Sequence, residues 1–398
     1  MTELGIAFQA DKAPGEYAAL AAAAEAYGFD VVSVFGDLLY QPPLPALLEM
    51  ARCTSRIRLG PACLNPYTQH PYEIAGAIAA LDAWSGGRAY LGLARGTWLD
   101  GIGIDQHRPL AALRDAAAIV RALLSGDEAG YRGAAYQLAP GIRLRYRLPD
   151  TVPPLLLGTW GPRGAALAGQ VADEIKAGGT ANPALVPLIR SRVAAGAAQA
   201  GRAHGQVKIV LGAVTVVARD GAAARRRART EVAMYLAVVA GLDPTVSLPP
   251  GLISRVRALV RAGDHAAAGA LIPGDVLDLF AFSGTPDHVA ALARRVVDAG
   301  ADRVDFGTPH GLTDAEGVAL LGSQVLPQLR LAHPVKRAVA TAPAAGKLDV
   351  TAAGPSGVPR AARGVHPAAA AGQFGWNGPV LHDQFAEPRI PGPVQGGE

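Results

Sequence analysis

The amino-acid sequence predicts a (β/α)8 barrel, and three observations carry that prediction. Short apolar stretches recur eight times across the first 330 or so residues, alternating with alanine-rich helical ones. Most of the apolar stretches show no polar alternation, so they suit burial on both faces. Several of the helical stretches carry their own start and stop signals. Strands of this kind, each followed by a helix, imply a parallel sheet covered by helices. Eight such units suit a closed barrel better than an open doubly wound sheet.

The strands fall at residues 4–8, 31–35, 57–64, 89–94, 154–158, 174–177, 208–218 and 303–307. Helices fall between them at 16–27, 45–54, 72–85, 110–124, 164–172, 183–200 and 286–299. Gly28 and Gly300 stand just past two of these helices, where a left-handed residue ends the turn. Thr285, Pro286 and Asp287 supply an N-cap, a first-turn proline and a first-turn acid. Two stretches interrupt the alternation. Residues 131–148 predict a β-hairpin, with Arg143, Arg145 and Arg147 alternating along one solvated strand. Residues 219–278 predict a mostly helical insertion, with Arg225, Arg226, Arg227 and Arg229 on its wet face.

Composition sets the remaining bounds. The chain has 398 residues, 50% of them hydrophobic and 18% charged, with a formal net charge of +4. That excludes disorder over most of its length. Half of the +4 lies in residues 333–398, a stretch rich in Ala, Gly and Pro that has no sustained period. Such a composition does not offset the entropy of ordering, so two parts are expected: a barrel over 1–332 and a mobile tail over 333–398. Phe374, Trp376 and Phe385 are that tail's candidate docking residues. No basic stripe interleaved with aromatics suggests nucleic acid, and no run of about 18 apolar residues suggests a membrane span. Cys53 and Cys63 make neither a disulfide framework nor a zinc site. Met1 leads straight into a strand with no signal-peptide pattern. A cytoplasmic protein acting on a small molecule is the expectation.

In such a barrel the chemistry sits where the strands end. The residues there are Gln9 after strand one and Gly36-Asp37 after strand two. Leu64-Asn65-Pro66-Tyr67-Thr68 follows strand three, and Arg95-Gly96-Thr97-Trp98 follows strand four. Thr159-Trp160-Gly161 follows strand five and Gly178-Gly179-Thr180 ends strand six. Ser283-Gly284-Thr285 precedes the last crossover helix, and Gly307-Thr308-Pro309-His310-Gly311 follows strand eight. This rim holds few ionisable groups. It contains no metal-ligand cluster, no Ser/His/Asp set and no carboxylate pair. Small residues, backbone amides and tryptophans suit a flat polar organic cofactor. The glycine-bearing junctions at 158–164, 178–180 and 284–285 are expected to offer free amides to a phosphate. Local amides, rather than a screened net charge, would hold it.

Residues 54–60 (TSRIRLG), 64–71 (LNPYTQHP), 80–82 (ALD) and 85–92 (SGGRAYLG) together resemble the luciferase-like family. More narrowly they are similar to its coenzyme F420-dependent branch, typified by methylenetetrahydromethanopterin reductase. Residues 157–163 (LGTWGPR), 171–173 (VAD) and 307–311 (GTPHG) agree with the same branch. The resemblance runs in order over residues 1–332.

It implies a dimeric (β/α)8 barrel holding a deazaflavin across the strand ends. It also implies a bulge with a non-prolyl cis peptide near Cys63-Leu64. The family's acid after strand two maps onto Asp37 and its polar contact near strand three onto Asn65, with Leu64 and Thr97 beside the cofactor. Gly158, Thr159, Trp160 and Gly161 would flank the ring and its ribityl chain, and Gly179 and Thr180 would lie near the phosphate. Asp37 could instead cap the following segment, and Asn65-Pro66 is also an ordinary turn starter. Three departures stand out: Ala7 replaces a strand-one glutamate, Thr97 replaces an acid, and Leu38 replaces a histidine found in F420-dependent glucose-6-phosphate dehydrogenases. Asp37 and His310 are the remaining candidates for moving a proton, and His310 is equally well explained as a hydrogen-bonded loop residue. Trp98 and Trp160 would wall the ring or the substrate.

The activity implied is hydride transfer between F420 and a small organic molecule, with reduction of a C=N or C=C bond as the expected direction. An FMN-dependent monooxygenase of the same superfamily and a non-catalytic ligand-binding barrel are the alternatives. No metal is expected.

Overall fold

The computed structural model describes residues 2–203 and 205–331. The expectations about the tail, with its three aromatic residues, lie outside the described residues. In chain order the strands are β1 (Glu3–Phe8), β2 (Val31–Val34), β3 (Arg58–Pro61), β4 (Leu91–Ala94), β5 (Tyr131–Arg132), β6 (Gln137–Leu138), β7 (Leu155–Gly158), β8 (Glu174–Gly178), β9 (Lys208–Val217), β10 (Ala281–Gly284) and β11 (Arg303–His310). The helices that matter below are α1 (Glu16–Tyr27), α2 (Pro43–Cys53), α3 (Pro71–Ser85), α4 (Pro109–Ser125), α5 (Pro162–Val171), α6 (Leu185–Gln199), α7 (Gly221–Val239), α8 (Leu252–Arg261), α9 (His265–Ala270), α10 (Gly274–Phe280), α11 (Pro286–Asp298) and α12 (Asp314–Leu320).

Eight parallel strands run β3-β2-β1-β11-β9-β8-β7-β4, and bridges Leu59↔Ala89 and Leu64↔Leu93 join the two ends. The sheet therefore closes into the expected (β/α)8 barrel, and each expected strand coincides with one of the eight. Helix punctuation behaves as its chemistry requires. Gly28 sits at φ 89° and its N–H returns to the carbonyls of Ala24 and Glu25. Thr285 Oγ1 accepts from the His288 amide at the start of α11.

Three details differ from the sequence reading. A further short strand, β10, pairs with the C-terminal half of β9 from Ala281↔Val214 to Gly284↔Val217. All four of its residues are buried, but a run this short that ends in Ser283 and Gly284 reads in sequence as a loop leading to a helix cap. The hairpin is real but short: Tyr131–Arg132 pairs only with Gln137–Leu138, so Arg143, Arg145 and Arg147 are not on a strand. Its tip is held by Asp115, whose carboxylate accepts from the Tyr131 hydroxyl and from the amides of Ala135 and Tyr136. Finally, the arginines of α7 divide. Arg226 and Arg227 are exposed, but Arg225 reaches Asp278 and the carbonyl of Gly274. Arg229 donates to the carbonyl of Ile272. Both therefore fasten the insertion helices α7 to α10 to one another.

The barrel interior is charged. Inward positions of β8 and β11 carry Glu174, Lys176, Arg303 and Asp305, all buried. Arg303 binds Glu174 at 2.5 Å and Asp305 at 3.0 Å, and Lys176 binds Asp305 at 2.6 Å. Arg58 and Glu3 extend the chain of pairs toward the strand starts. Glycines opposite these side chains make the room: a Cβ at Gly5 would stand 2.0 Å from Asp305 Oδ1, and one at Gly212 3.1 Å from Lys176 Cε. Burial by itself would raise the Glu174 and Asp305 carboxyls. Their cationic partners outweigh it and hold both below the usual carboxylate range.

Candidate active site

The C-terminal strand ends form the mouth of the barrel, and the arc from β2 through β3, β4, β7 and β8 carries nine of the predicted site residues: Asp37, Leu64, Asn65, Thr97, Gly158, Thr159, Trp160, Gly161 and Gly179. β3 stops at Pro61, and the Ala62–Cys63 peptide is cis, next to the Cys63-Leu64 position expected. The chain then rejoins the sheet at Leu64, whose N–H donates to the Gly92 carbonyl at 2.9 Å. The bulge turns the Cys63 thiol toward Gly92 and Gly158, where a Cβ would stand 3.3 and 3.0 Å from its sulfur. Burial pushes that thiol up to about 12, so it is a neutral packing group rather than a nucleophile.

Asp37 is the carboxylate at the end of strand two, on the rim of the mouth. It is open to solvent yet lies deep among protein atoms, so desolvation raises its pKa. A hydrogen bond from Gln9 and the charge of Lys176 pull it back down. Around it, the loop after β2 exposes Leu39 at 72% and Tyr40 at 51%. Desolvation, with the nearby charges of Asp11, Asp37 and Glu231, raises the Tyr40 phenol above its ordinary value. Glu231 belongs to α7, so the insertion closes one side of the mouth. Trp160 is half-buried between the main core and the insertion's own apolar cluster, and forms part of that wall.

Other predicted residues are already engaged within the protein. Asn65 Oδ1 accepts from the amides of Tyr67 and Thr68 at 3.1 and 2.9 Å, the geometry of an Asx turn. Thr180 is fully buried, its N–H donates to the Gly212 carbonyl and its Oγ1 accepts from the Asn182 amide. The helix after it begins only at Leu185. The 178–180 junction is therefore not a helix N-terminus with free amides, because Asn182 and Pro183 are interposed and the Thr180 amide completes the sheet. Gly161 does cap α5 directly, and a Cβ there would meet nothing within 4 Å. His310 is fully buried. Its Nε2 lies 3.1 Å from the Ala7 carbonyl and its ring 4.8 Å from that of Phe8. Its Nδ1 lies 3.5 Å from Asp314 Oδ1, so the ring is held between strand one and the start of α12.

Sequence reasoning missed Lys176 and Gln9 as neighbours of Asp37. The signal was present: charged residues at alternate positions, Glu174/Lys176 and Arg303/Asp305, in strands otherwise apolar must point the same way. Among the described residues no group of three or more His, Cys, Asp or Glu is placed to hold a metal, and no helix is long and apolar enough to cross a membrane.

The mouth has the features of a site for a flat organic cofactor. Gly161 and Gly178 both leave open space where a side chain would project, Leu64 and Gly158 present small or apolar surface beside the bulge, and Trp160 supplies an aromatic wall.

Comparison with known proteins agrees with this geometry. The family model for luciferase-like monooxygenases matches residues 2–303. The 5,10-methylenetetrahydromethanopterin reductase of Archaeoglobus fulgidus is 31% identical over 338 residues, covering 82% of this chain and 100% of that protein. An F420-dependent glucose-6-phosphate dehydrogenase of Nakamurella multipartita is 27% identical, over 80% of this chain and 93% of its own. Among solved structures, the F420-dependent tetrahydromethanopterin reductase of Methanopyrus kandleri superposes with a TM-score of 0.73 at 24% identity. That match covers 83% of this chain and 99% of the other. The chain belongs to the luciferase-like monooxygenase family, in the branch that includes the methylenetetrahydromethanopterin reductases.

Proposed function

We propose that the chain is a coenzyme F420-dependent oxidoreductase that transfers a hydride between the deazaflavin and a small organic substrate, reducing a C=N or C=C bond. The observation that carries this reading is the match at 31% identity over 82% of this chain and the whole of a reductase, set on a barrel mouth shaped by small residues with the Asp37 carboxylate exposed in it. Bound there, the cofactor would supply the hydride. Leu64, Gly158 and Trp160 would hold its ring, and Thr159 to Gly161 would follow its side chain toward the start of α5. The Tyr40 and Trp160 rings would exclude water. Asp37 would hold or release the accompanying proton at its exposed carboxyl oxygen, since the family's other acids are replaced here by Ala7 and Thr97.

The test is equilibrium binding of F420 and of FMN to purified protein, followed by oxidation of reduced F420 with a panel of imines and enoates. Binding of F420 with turnover of either class is the expected result. FMN binding without F420 binding would transfer the chain to the flavin monooxygenases. F420 binding without any turnover, even by close analogues, would favour a ligand-binding barrel. The proposal also takes the protein as a cytoplasmic homodimer, and sedimentation equilibrium checks the oligomer.

A further inference from the structure

We propose that Asn182 is a positioning residue of the mouth: by joining the β8–α6 turn to Asp243 and Thr245 of the insertion, it fixes the wall in which Trp160 stands. The inference deepens the functional reading above and rests on the mouth being the cofactor site.

Asn182 lies between the end of β8 and the start of α6. Its N–H donates to Thr180 Oγ1 at 3.1 Å, and its Oδ1 accepts from the Ala184 amide at 3.1 Å. Those bonds shape the turn itself. Its Nδ2 reaches out of the turn, donating to Asp243 Oδ2 and to Thr245 Oγ1, both at 2.8 Å. The other oxygen of Asp243 accepts from the Thr245 amide at 2.9 Å and from its hydroxyl at 2.6 Å. Asn182 and Asp243 are each only 2% exposed. Buried from water and mutually satisfied, these groups specify one arrangement of the two segments.

Both ends of the insertion land on this turn. Asp243 follows α7, while the carbonyl of Leu279 on α10 accepts from the Ala181 amide at 2.9 Å. Between them α7 rests on Gly179, where a Cβ would stand 2.9 Å from Val239 Cγ1 and 3.5 Å from Tyr235 Cε2. Trp160 packs against both the main core and the apolar cluster of the insertion. Its carbonyl accepts from Arg192 of α6 at 3.3 Å. Asn182 therefore stands behind both supports of Trp160, the α6 side through its turn and the insertion side through Asp243. Apolar packing alone is non-directional and would let the insertion slide. The directional bonds of Asn182 fix its place.

The experiment reads Trp160 itself, with no ligand present. Its emission is the difference between a protein and the same protein carrying W160F. In N182A and in D243A the Trp160 maximum is expected to move to longer wavelength as the ring becomes wetter. The N182A/D243A double variant should move it no further than either single one, because the two groups act as a unit. T245V should move it in the same direction and serves if the other variants fail to fold, whereas T245S, which restores the hydroxyl, should return it to the parent value. F420 affinity should fall about tenfold in N182A, the fold-change that loss of one charge-assisted hydrogen bond carries. Unchanged Trp160 emission in folded N182A or T245V overturns the proposal, even where the unfolding midpoint falls, since Asn182 would then serve packing only. A double variant that shifts by the sum of the two single ones overturns it as well. If the parent binds no F420, the functional reading fails, and the Trp160 emission still decides the role of Asn182.

Discussion

Arg303 and Glu174 meet inside the barrel at 2.5 Å, with neither side chain more than 2% exposed. The pair ties β11 to β8 across the intervening β9, and its geometry leaves neither charge alone, since Arg58 also reaches Glu174 at 2.9 Å. Removing one partner of such a pair leaves an uncompensated buried charge and costs about 3–5 kcal/mol. E174A is expected to lose stability by that amount in urea unfolding, with a cooperative transition retained. Replacement of both groups, as in R303M with E174L, should recover much of the loss, because apolar side chains suit the same space.

The interior also fixes how stability depends on acidity. Glu174 and Asp305 have folded-state pKa values below their unfolded ones. Their contribution is fully present above the ordinary carboxylate range and is lost as pH falls through the depressed values. Glu25 adds to the same limb. Burial is the largest single effect and raises it, but its carboxylate accepts from the amides of Ile57, Arg56 and Ser55, and together these hold it down to about 2. Thermal midpoints should stay level from pH 7 to about pH 5 and then fall steeply toward pH 2. In E25Q the fall should be shallower and the plateau lower by about 1–3 kcal/mol.

Much of this was legible in the sequence because barrels write themselves in period and punctuation. Eight apolar runs and glycine stops such as Gly28 give the order of elements, and the 54–71 stretch carries the family resemblance through to the Ala62–Cys63 bulge. Side-chain direction was harder. Lys176 looks like any strand lysine until the alternation with Glu174 is noticed, and only the closed barrel shows that inward means buried. Arg225 looks wet because a helix sequence does not reveal that α10 packs over it and presents Asp278. Thr180 looked free because the sequence cannot tell that its amide completes a bond to Gly212.

Gly196 offers a test of the scaffold that does not touch the mouth. It lies on α6, where a Cβ would stand 1.9 Å from the Ala166 carbonyl of α5. Two helix backbones cannot approach so closely past a methyl group. G196A should cost about 1–3 kcal/mol through forced separation of the helices. Cofactor affinity, measured on the folded fraction, should remain within about twofold of the parent, because the contact lies on the barrel's outer layer.

Asp37 and His310 are the proton-carrier candidates the sequence offers, His310 being equally well explained as a hydrogen-bonded loop residue, and the structure places them differently. Asp37 is open to the mouth, while His310 is sealed behind it against Phe8 and the Ala7 carbonyl. A proton can pass between substrate and solvent through an exposed carboxyl, whereas the buried imidazole faces the Ala7 carbonyl on one side and the Asp314 carboxylate, 3.5 Å from its Nδ1, on the other. D37N should therefore lower kcat by about 10²–10⁴-fold, the usual contribution of a positioned acid or base, and should erase one limb of the pH–rate profile. Cofactor affinity should change far less. H310A should act on the fold instead, lowering the denaturation midpoint while both limbs of the profile remain where they were. A profile that loses its limb in H310A and keeps it in D37N would reverse the assignment.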